Sequence, residues 1–158
     1  MRKIRSRKAV SPVIATVILV AVAITVAVAV SYWMGGITSQ YTTFEKVEIQ
    51  SGVCSWDNTG TGSWNITLKL KNSGTATSTL NSVFINDIEA TTYGQDYASL
   101  SDEIATNMTT STTITSGANA LVNIYIDLGY ASLSSGTTVN IKVHSAGGMD
   151  YIKLIELV

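Results

Sequence analysis

The sequence predicts an α+β fold in which a long N-terminal apolar helix precedes an antiparallel β-sandwich. Residues 13–30 contain only Ala, Val, Ile, Leu and two Thr, without a charge. Several stretches beyond residue 60 alternate apolar with polar residues and are separated by turn-forming residues. Ser and Thr are abundant after residue 34, where Pro is absent, as is typical of solvent-facing strands. The chain of 158 residues accommodates one such domain beside the helix.

The apolar stretch is long enough to cross a membrane as a helix. From residue 12 to residue 34 it would measure about 35 Å, which exceeds the hydrocarbon thickness of a bilayer. Its Val and Ile would favour a strand in water, but in lipid a spanning backbone must satisfy its own hydrogen bonds, and this favours a helix. Ser11 as the cap and Pro12 at the first helical position predict where it begins. Gly35-Gly36 predicts a weak point or an end.

Charge is distributed unevenly along the chain. Residues 1–9 carry five basic side chains, whereas the rest has five basic against eleven acidic residues, a balance of −6. A basic flank before an apolar span predicts a cytoplasmic N-terminus and a body on the outer side of the membrane. The acidic body lacks the clustered Lys and Arg that phosphate binding needs, so we expect no nucleic-acid partner. The span is also too long for an ordinary secretory signal, and no A-x-A-like site follows it.

The predicted strands have apolar residues at every second position. They are residues 65–71, 80–88, 121–128 and 138–144, with a last run at 151–158. The side chains predicted to point inward from the third and fourth are Val122, Ile124, Ile126, Leu128, Val139, Ile141 and Val143. Short strands at this spacing predict a sandwich with Greek-key or Ig-like connections. Residues 90–118 are rich in Ser and Thr and are expected to hold an edge strand and a long loop.

No group of side chains in the sequence predicts an enzyme. The chain has one His and one Cys, and it shows no nucleophile–base set, metal-ligand cluster or phosphate-binding loop. We therefore expect no catalytic activity, cofactor or metal site. His144 is expected at the surface, as is the pair Asp102-Glu103 in a loop. Cys54 is expected to be a small buried apolar residue, with an intermolecular disulfide as the alternative.

Two further features concern the body of the chain. Asn65 and Asn107 begin N-x-T sequons and are candidate N-glycosylation sites, with Asn107 expected to be the better exposed. Chance sequons are also expected in a chain so rich in Asn, Ser and Thr. Trp56 and Trp64 flank a predicted hairpin loop, where we expect cross-strand packing, with carbohydrate stacking as the alternative.

The run K-A-V-S-P-V-I-A-T-V-I-L-V-A-V-A-I-T-V at residues 8–26 resembles the N-terminal signature of archaeal type IV pilins. In that family a basic leader, called a class III signal peptide, precedes an S-P-V-I start and an apolar helix. The resemblance implies that a prepilin peptidase cuts on the cytoplasmic side, before the helix. Lys8 and Ala9 match the positions before the cut, and Val10 would become the new N-terminus. Ile14 stands where bacterial relatives usually carry Glu, in agreement with the archaeal branch.

The resemblance also implies how the chain is organised. It comprises a cleaved basic leader (1–9), a hydrophobic polymerisation or transmembrane helix (10–36), a stalk or linker (37–50) and an extracellular β-sandwich (51–158). Removing the basic leader would turn a membrane span into an apolar rod that copies of itself could bury in a helical polymer. The residues expected in that helical core are Ile14, Ile18, Val22, Ala23, Ala27 and Val30. Small residues at Ala23 and Ala27, or at Thr25 and Ala29, would allow close helix approach, or serve only as helix-forming residues.

The function implied is that of a structural pilin in an extracellular pilus on the archaeal surface, serving adhesion or cell contact. Its partners would be copies of itself, the prepilin peptidase, an assembly ATPase and a membrane platform. The precursor would lie in the cytoplasmic membrane with its C-terminus outside. Two alternatives remain open: a subunit of an archaellum-type motility filament, and a single-span surface protein that does not polymerise.

Overall fold

The computed structural model describes residues 11–58, 62–96 and 103–158. The chain divides into two compact units, Met1–Thr42 and Thr43–Val158. The described part of the first is one helix, α1 (Pro12–Tyr41). The described part of the second is a β-sandwich with one short 3₁₀ turn at Tyr130–Ser132. The predicted class, a long N-terminal helix followed by an antiparallel-rich sandwich, is confirmed.

The sandwich contains ten strands in the described part of the chain. They are β1 (Val47–Asp57), β2 (Ser63–Asn72), β3 (Ser78–Ile85), β4 (Ile88–Glu89), β5 (Thr92–Tyr93), β6 (Ile104–Thr106), β7 (Thr112–Ile114), β8 (Asn119–Asp127), β9 (Thr138–Ser145) and β10 (Asp150–Glu156). The first sheet, sheet A, has the order β1-β2-β8-β6-β5, and sheet B has the order β10-β9-β3-β4 with β7 also paired to β3. These pairings are antiparallel, apart from the parallel β5–β6 pair.

The core lies between the two sheets and is built from the alternation that the sequence shows. On β2 the apolar residues point inward and are fully buried, while the polar residues between them point outward. The residues predicted to point inward from β8 and β9 are also buried, with the exception of Leu128, although Tyr125 and Asp127 on β8 are buried as well. The fully buried set includes Ile66, Leu68, Leu70, Ile124, Ile126, Val139, Ile141 and Val143. Removing these side chains from water is the main favourable contribution to folding.

The stalk at 37–50, expected either to continue the helix or to link it to the first strand, does both. The helix runs through Gly35-Gly36 to Tyr41, and β1 begins at Val47, so only residues 42–46 connect them. Each helical Gly costs only about 1 kcal/mol relative to Ala. A helix of roughly eight turns, with no Pro after its first residue to stop it, outweighs this cost. The first strand was missed because a bulge between Ile49 and Ser51 interrupts its alternation.

Two side chains in the body lie on the opposite side from that predicted. Leu128 is 48% exposed because β8 ends at Asp127 and the chain turns away there. Glu103, predicted at a loop surface, is only 4% exposed and accepts a hydrogen bond from the Thr92 hydroxyl. Its sequence neighbour Asp102 lies outside the described residues. The edge strand expected within 90–118 is present as β5 at the edge of sheet A, and the described part of this region also contains the short strands β6 and β7.

Candidate assembly surfaces

Helix α1 presents apolar side chains on every side and buries none of them within the chain. The large apolar and aromatic residues from Val13 to Met34 are each at least 47% exposed. It is the one described helix that is long and apolar enough to cross a membrane. A signal sequence can share this length and apolar character. A helix that is apolar all round is stable only in lipid or inside protein. The helix therefore requires an apolar environment that the chain itself does not supply.

The two polar side chains within residues 13–30 are satisfied within the helix. The Thr16 hydroxyl donates to the Val13 carbonyl at 2.9 Å, and the Thr25 hydroxyl donates to the Ala21 carbonyl at 2.8 Å. Moving a hydroxyl without a hydrogen-bond partner from water into alkane would cost about 4–8 kcal/mol. The helix surface is therefore compatible with lipid and with other helices throughout this stretch.

The beginning of α1 agrees in part with the sequence-based expectation. Ser11 is the N-cap residue and Pro12 is the first helical residue, as predicted, but the Ser11 side chain makes no capping hydrogen bond. The backbone carbonyl of Ser11 accepts a hydrogen bond from the Ala15 N–H at 3.1 Å. The predicted cleavage residues Lys8, Ala9 and Val10 lie outside the described residues.

The residues predicted for the polymer core lie along α1. Ile14, Ile18, Val22, Ala23, Ala27 and Val30 all fall within the helix and are all exposed. Because α1 is apolar around its whole circumference, they do not form a distinct stripe. The structure thus defines the whole apolar helix surface as the candidate contact, with no smaller subset preferred.

A second candidate feature is the segment through which the chain enters the sandwich. The Phe44 carbonyl accepts from the Thr75 and Ala76 N–H groups at 3.0 Å, and the Lys46 carbonyl accepts from the Ser73 N–H at 2.8 Å. A side chain at Gly74 would meet the Phe44 carbonyl at 2.5 Å. We call this arrangement the entry clamp: residues 44–46 held by the β2–β3 connection at residues 73–76.

The Glu45 carboxylate completes the entry clamp on the side of sheet B. It accepts hydrogen bonds from the Ser78 hydroxyl at 2.5 Å and the Tyr151 hydroxyl at 3.1 Å. Burial alone would raise the pKa of Glu45. Hydrogen bonds from Ser78, Ser145 and Tyr151 outweigh burial, so the pKa lies below its usual value of 4.5. Sequence reasoning missed this residue because its partners lie 33 and 106 positions away.

The two sequon asparagines lie on the sandwich and are both half-buried. Asn65 is in the middle of β2, where its side-chain oxygen is buried and has no hydrogen-bond partner among the described residues. Asn107 follows β6, and its side-chain oxygen accepts from the Asn123 N–H at 2.8 Å. Because both side chains are half-buried, the structure shows no clear advantage in exposure for Asn107. Glycosylation of either remains a prediction.

Packing or a neighbouring side chain accounts for the other candidate residues of the sandwich, two Trp, one Cys and one His. Trp56 and Trp64 face each other across β1 and β2 with ring centroids 5.5 Å apart in an edge-to-face arrangement, which confirms the expected cross-strand packing. Cys54 is half-buried at the margin of the core, and burial raises the pKa of its thiol. His144 lies on the outer face of sheet B, where its Nδ1 atom is 2.5 Å from the Oδ1 atom of Asp150. Over the described ranges, no group of three or more potential metal ligands comes together.

The chain matches no known protein-family profile and no curated protein sequence. Similar folds occur among solved archaeal structures. The archaellum periplasmic stator protein FlaG from Sulfolobus acidocaldarius is 19% identical, with 71% of this chain and 100% of that chain covered and a TM-score of 0.42. The stator complex of FlaF and FlaG from that organism is 16% identical, with 71% and 90% covered and a TM-score of 0.45.

The archaeal flagellum of Methanospirillum hungatei strain JF1 is 17% identical over 94% of each chain, with a TM-score of 0.47. All three structures are named as archaellum components. At such identities and TM-scores, the likeness carries no conclusion about the role of this chain.

Proposed function

We propose that this chain is the structural subunit of an archaeal surface filament, anchored first in the membrane and then polymerised through α1. The observation that carries the proposal is the helix itself: 30 residues long, with an uncharged apolar stretch and no buried residue. A helix of this kind must be covered by lipid or by protein. Copies of the same helix would cover one another in an open helical polymer, while the sandwich would face solvent.

A charged side chain in the middle of α1 tests this proposal. Val22→Lys would place a charge among packed apolar helices without a partner, and we expect it to abolish filaments seen by electron microscopy of cells and of sheared surface fractions. Thr38→Lys, in the last turns of the same helix, is the matched control and should assemble. Membrane insertion of both precursors is followed by fractionation, so that loss of assembly is separated from loss of the protein. Normal filaments from Val22→Lys would contradict a helical core.

Within this class, the role of the filament divides into two candidates. The first is an adhesive or cell-contact pilus, as the N-terminal resemblance implies. The second is a motility filament of the archaellum type, and the solved structures of similar fold are named as archaellum parts. Swimming and surface attachment of a strain lacking the gene separate them: loss of swimming supports the archaellum type, and loss of attachment with normal swimming supports the pilus.

A membrane-anchored protein that never polymerises is the remaining alternative. Such a protein would keep α1 in the bilayer permanently, so it would be recovered with membranes and absent from sheared filaments. The fractionation described above distinguishes this outcome directly.

A further inference from the structure

Two adjacent glycines stand where the apolar part of α1 ends. The apolar part reaches Met34, Gly35 and Gly36 follow, and the helix closes with residues 37–41, I-T-S-Q-Y, which we call the terminal segment. Glycine in a helix interior costs stability relative to Ala, because its backbone has the most conformational freedom to lose. Two glycines in succession therefore make this a locally weak point of α1.

Neither glycine is required by the fold of the chain itself. A Cβ atom added at Gly35 or Gly36 would meet nothing within 4 Å among the described residues, so neither position serves a close approach there. Neither has the positive φ at which glycine replaces other residues. Two uses of glycine remain at this place: room for a second molecule, and a backbone that can bend.

The hydroxyl groups around the glycine pair favour bending. The Thr38 hydroxyl donates to the Met34 carbonyl at 2.8 Å, and the Ser39 hydroxyl donates to the Gly36 carbonyl at 2.9 Å. Hydroxyls bonded in this way to the preceding turn often bend a helix, and kinks of long helices occur at Gly and Ser. These carbonyls also keep a partner when a helical N–H moves away, so opening the helix here leaves fewer backbone groups unsatisfied. Two threonines earlier in α1 make similar bonds, but no glycine adjoins them.

The helix on the two sides of the glycine pair is held in different ways. The apolar part needs lipid or protein around it, where a broken backbone hydrogen bond finds no water. The terminal segment buries none of its residues and is far shorter than the about 12–15 residues that a helix needs to be stable alone in water. It is therefore helical as the continuation of the apolar part. Beyond it, residues 44–46 are fixed in the entry clamp, so a change of direction has to occur between Gly35 and residue 43.

We propose that Gly35 and Gly36 form a hinge at which α1 alternates between a straight and a bent conformation. This inference rests on the proposed filament function, because a hinge is needed only if the helix exchanges one environment for another. Lipid sets the direction of the apolar part in the precursor, and neighbouring helices set it in the polymer. A hinge of a few residues absorbs the change in backbone angles, so the apolar part stays a continuous helix in both environments.

Distances between two spin labels on α1 test the hinge directly. The full chain in detergent micelles carries Cys54→Ser as background, with Val20→Cys and Gln40→Cys labelled on either side of the glycines. In a straight helix the Cα atoms of these two positions lie about 30 Å apart. We expect a broad distribution that extends to shorter distances. Gly35→Ala with Gly36→Ala should narrow it to a single peak near the straight value.

The matched control is a label pair that does not span the glycines. Ile14→Cys with Met34→Cys has the same separation along the chain but lies entirely within the apolar part. Its distribution should be narrow and near about 30 Å whether or not the glycines are replaced. A distribution for the spanning pair that is as narrow as that of the control, with both glycines in place, would overturn the hinge.

Assembly in cells tests what the hinge does. Each Gly→Ala change favours the straight helix, so the double Ala variant should populate the bent conformation, and hence form filaments, about tenfold less than the unmodified chain. Its precursor should reach the membrane in normal amounts. Ser31→Ala with Gln40→Ala is the matched control, because it adds a good helix former on each side of the glycine pair and keeps the hinge. This control should assemble normally.

The outcomes separate the hinge from the proposed function. Loss of assembly in the double Ala variant, together with narrowing of its distances, supports the hinge. Loss of assembly with narrow distances already in the unmodified chain would show that the glycines make room for a neighbouring helix. Normal assembly of the double Ala variant would show that filaments form without bending, and either of these two results overturns the inference. Absence of filaments from the unmodified chain would instead overturn the proposed function, while the spin-label distances would still decide whether α1 bends.

Discussion

Glu45 is the single residue on which the entry clamp depends most. Its carboxylate joins the segment before β1 to Ser78 on β3 and Tyr151 on β10, so one side chain connects the start of sheet A with two strands of sheet B. Burial, together with the charge of Glu45, raises the pKa of Tyr151, which keeps its hydroxyl protonated and able to donate. Hydrogen bonds to a charged acceptor contribute about 1.5–3 kcal/mol each when they are well sheltered.

The lowered pKa of Glu45 predicts a dependence of stability on pH. A carboxyl group whose pKa is lower in the folded than in the unfolded state stabilises the fold above its unfolded value, and this contribution disappears as pH falls through the folded value. We therefore expect the free energy of unfolding to fall as the pH drops below about 4.5. The measurement is denaturant unfolding of the full chain in detergent micelles, followed by the fluorescence of the buried Trp64.

Glu45→Gln is the matched variant for this experiment. It keeps the shape of the side chain but cannot ionise, so its stability should be lower at neutral pH and should lose the part of the acid dependence due to Glu45. If the difference in unfolding free energy between pH 4 and pH 7 is the same in Glu45→Gln as in the unmodified chain, Glu45 is not the titrating group.

At the scale of elements, the β2–β3 connection acts as the other half of the clamp. Its conformation is held by Asn72, which is fully buried and donates to the Ala76 and Ile114 carbonyls at 2.8 Å while accepting from the Gly74 N–H at 2.9 Å. The backbone of this connection can approach residues 44–46 so closely only because position 74 lacks a side chain.

Gly74→Ala should therefore destabilise the sandwich. The added methyl group would meet the Phe44 carbonyl and the Lys46 N–H, which are backbone groups and cannot move aside as a flexible side chain could. Overpacking of this kind costs about 1–3 kcal/mol, measured by denaturant unfolding in the same micelles. Gly35→Ala is the control, since nothing lies within 4 Å of its added carbon; it should leave the sandwich unchanged and strengthen α1.

The elements also show what local sequence could and could not predict. Strands β2, β8 and β9 follow strict alternation, and their inward residues were predictable because a period of two leaves only one face apolar. Strand β1 was not, since the bulge beyond Ile49 shifts its alternation by one position. Glu45 and the burial of Glu103 depend on contacts between distant segments, which no pattern within a short window contains.

At the scale of the whole molecule, the chain combines a water-compatible sandwich with a helix that cannot be exposed to water. The long apolar helix could be predicted from the sequence because its uninterrupted apolar length is visible there. The membrane orientation that the charge asymmetry implies stays a prediction. The fate of the basic leader is a property of the precursor and its processing, and it stays a prediction from the resemblance to pilins.

That prediction is open to a direct measurement. We expect the mature protein in isolated filaments to begin at Val10, so that its intact mass lacks residues 1–9. Lys8→Glu should slow or prevent this processing, if the peptidase recognises the local positive charge, and should leave the full-length precursor in the membrane. Filaments whose subunits retain Arg2 to Lys8 would refute the cleavage, and unaltered processing of Lys8→Glu would remove the role of that lysine.

The uniform surface of α1 has a mechanical consequence. Coiled assemblies usually fix the register of neighbouring helices with an occasional buried polar residue, but here Thr16 and Thr25 direct their hydroxyls to their own backbone. A bundle of such helices would then lack a buried polar contact that strongly favours one axial offset between neighbouring helices over another. Sliding of neighbours under tension would then meet little resistance in the centre of the fibre. Elastic extension would be limited mainly by whatever joins the folded domains at its outside.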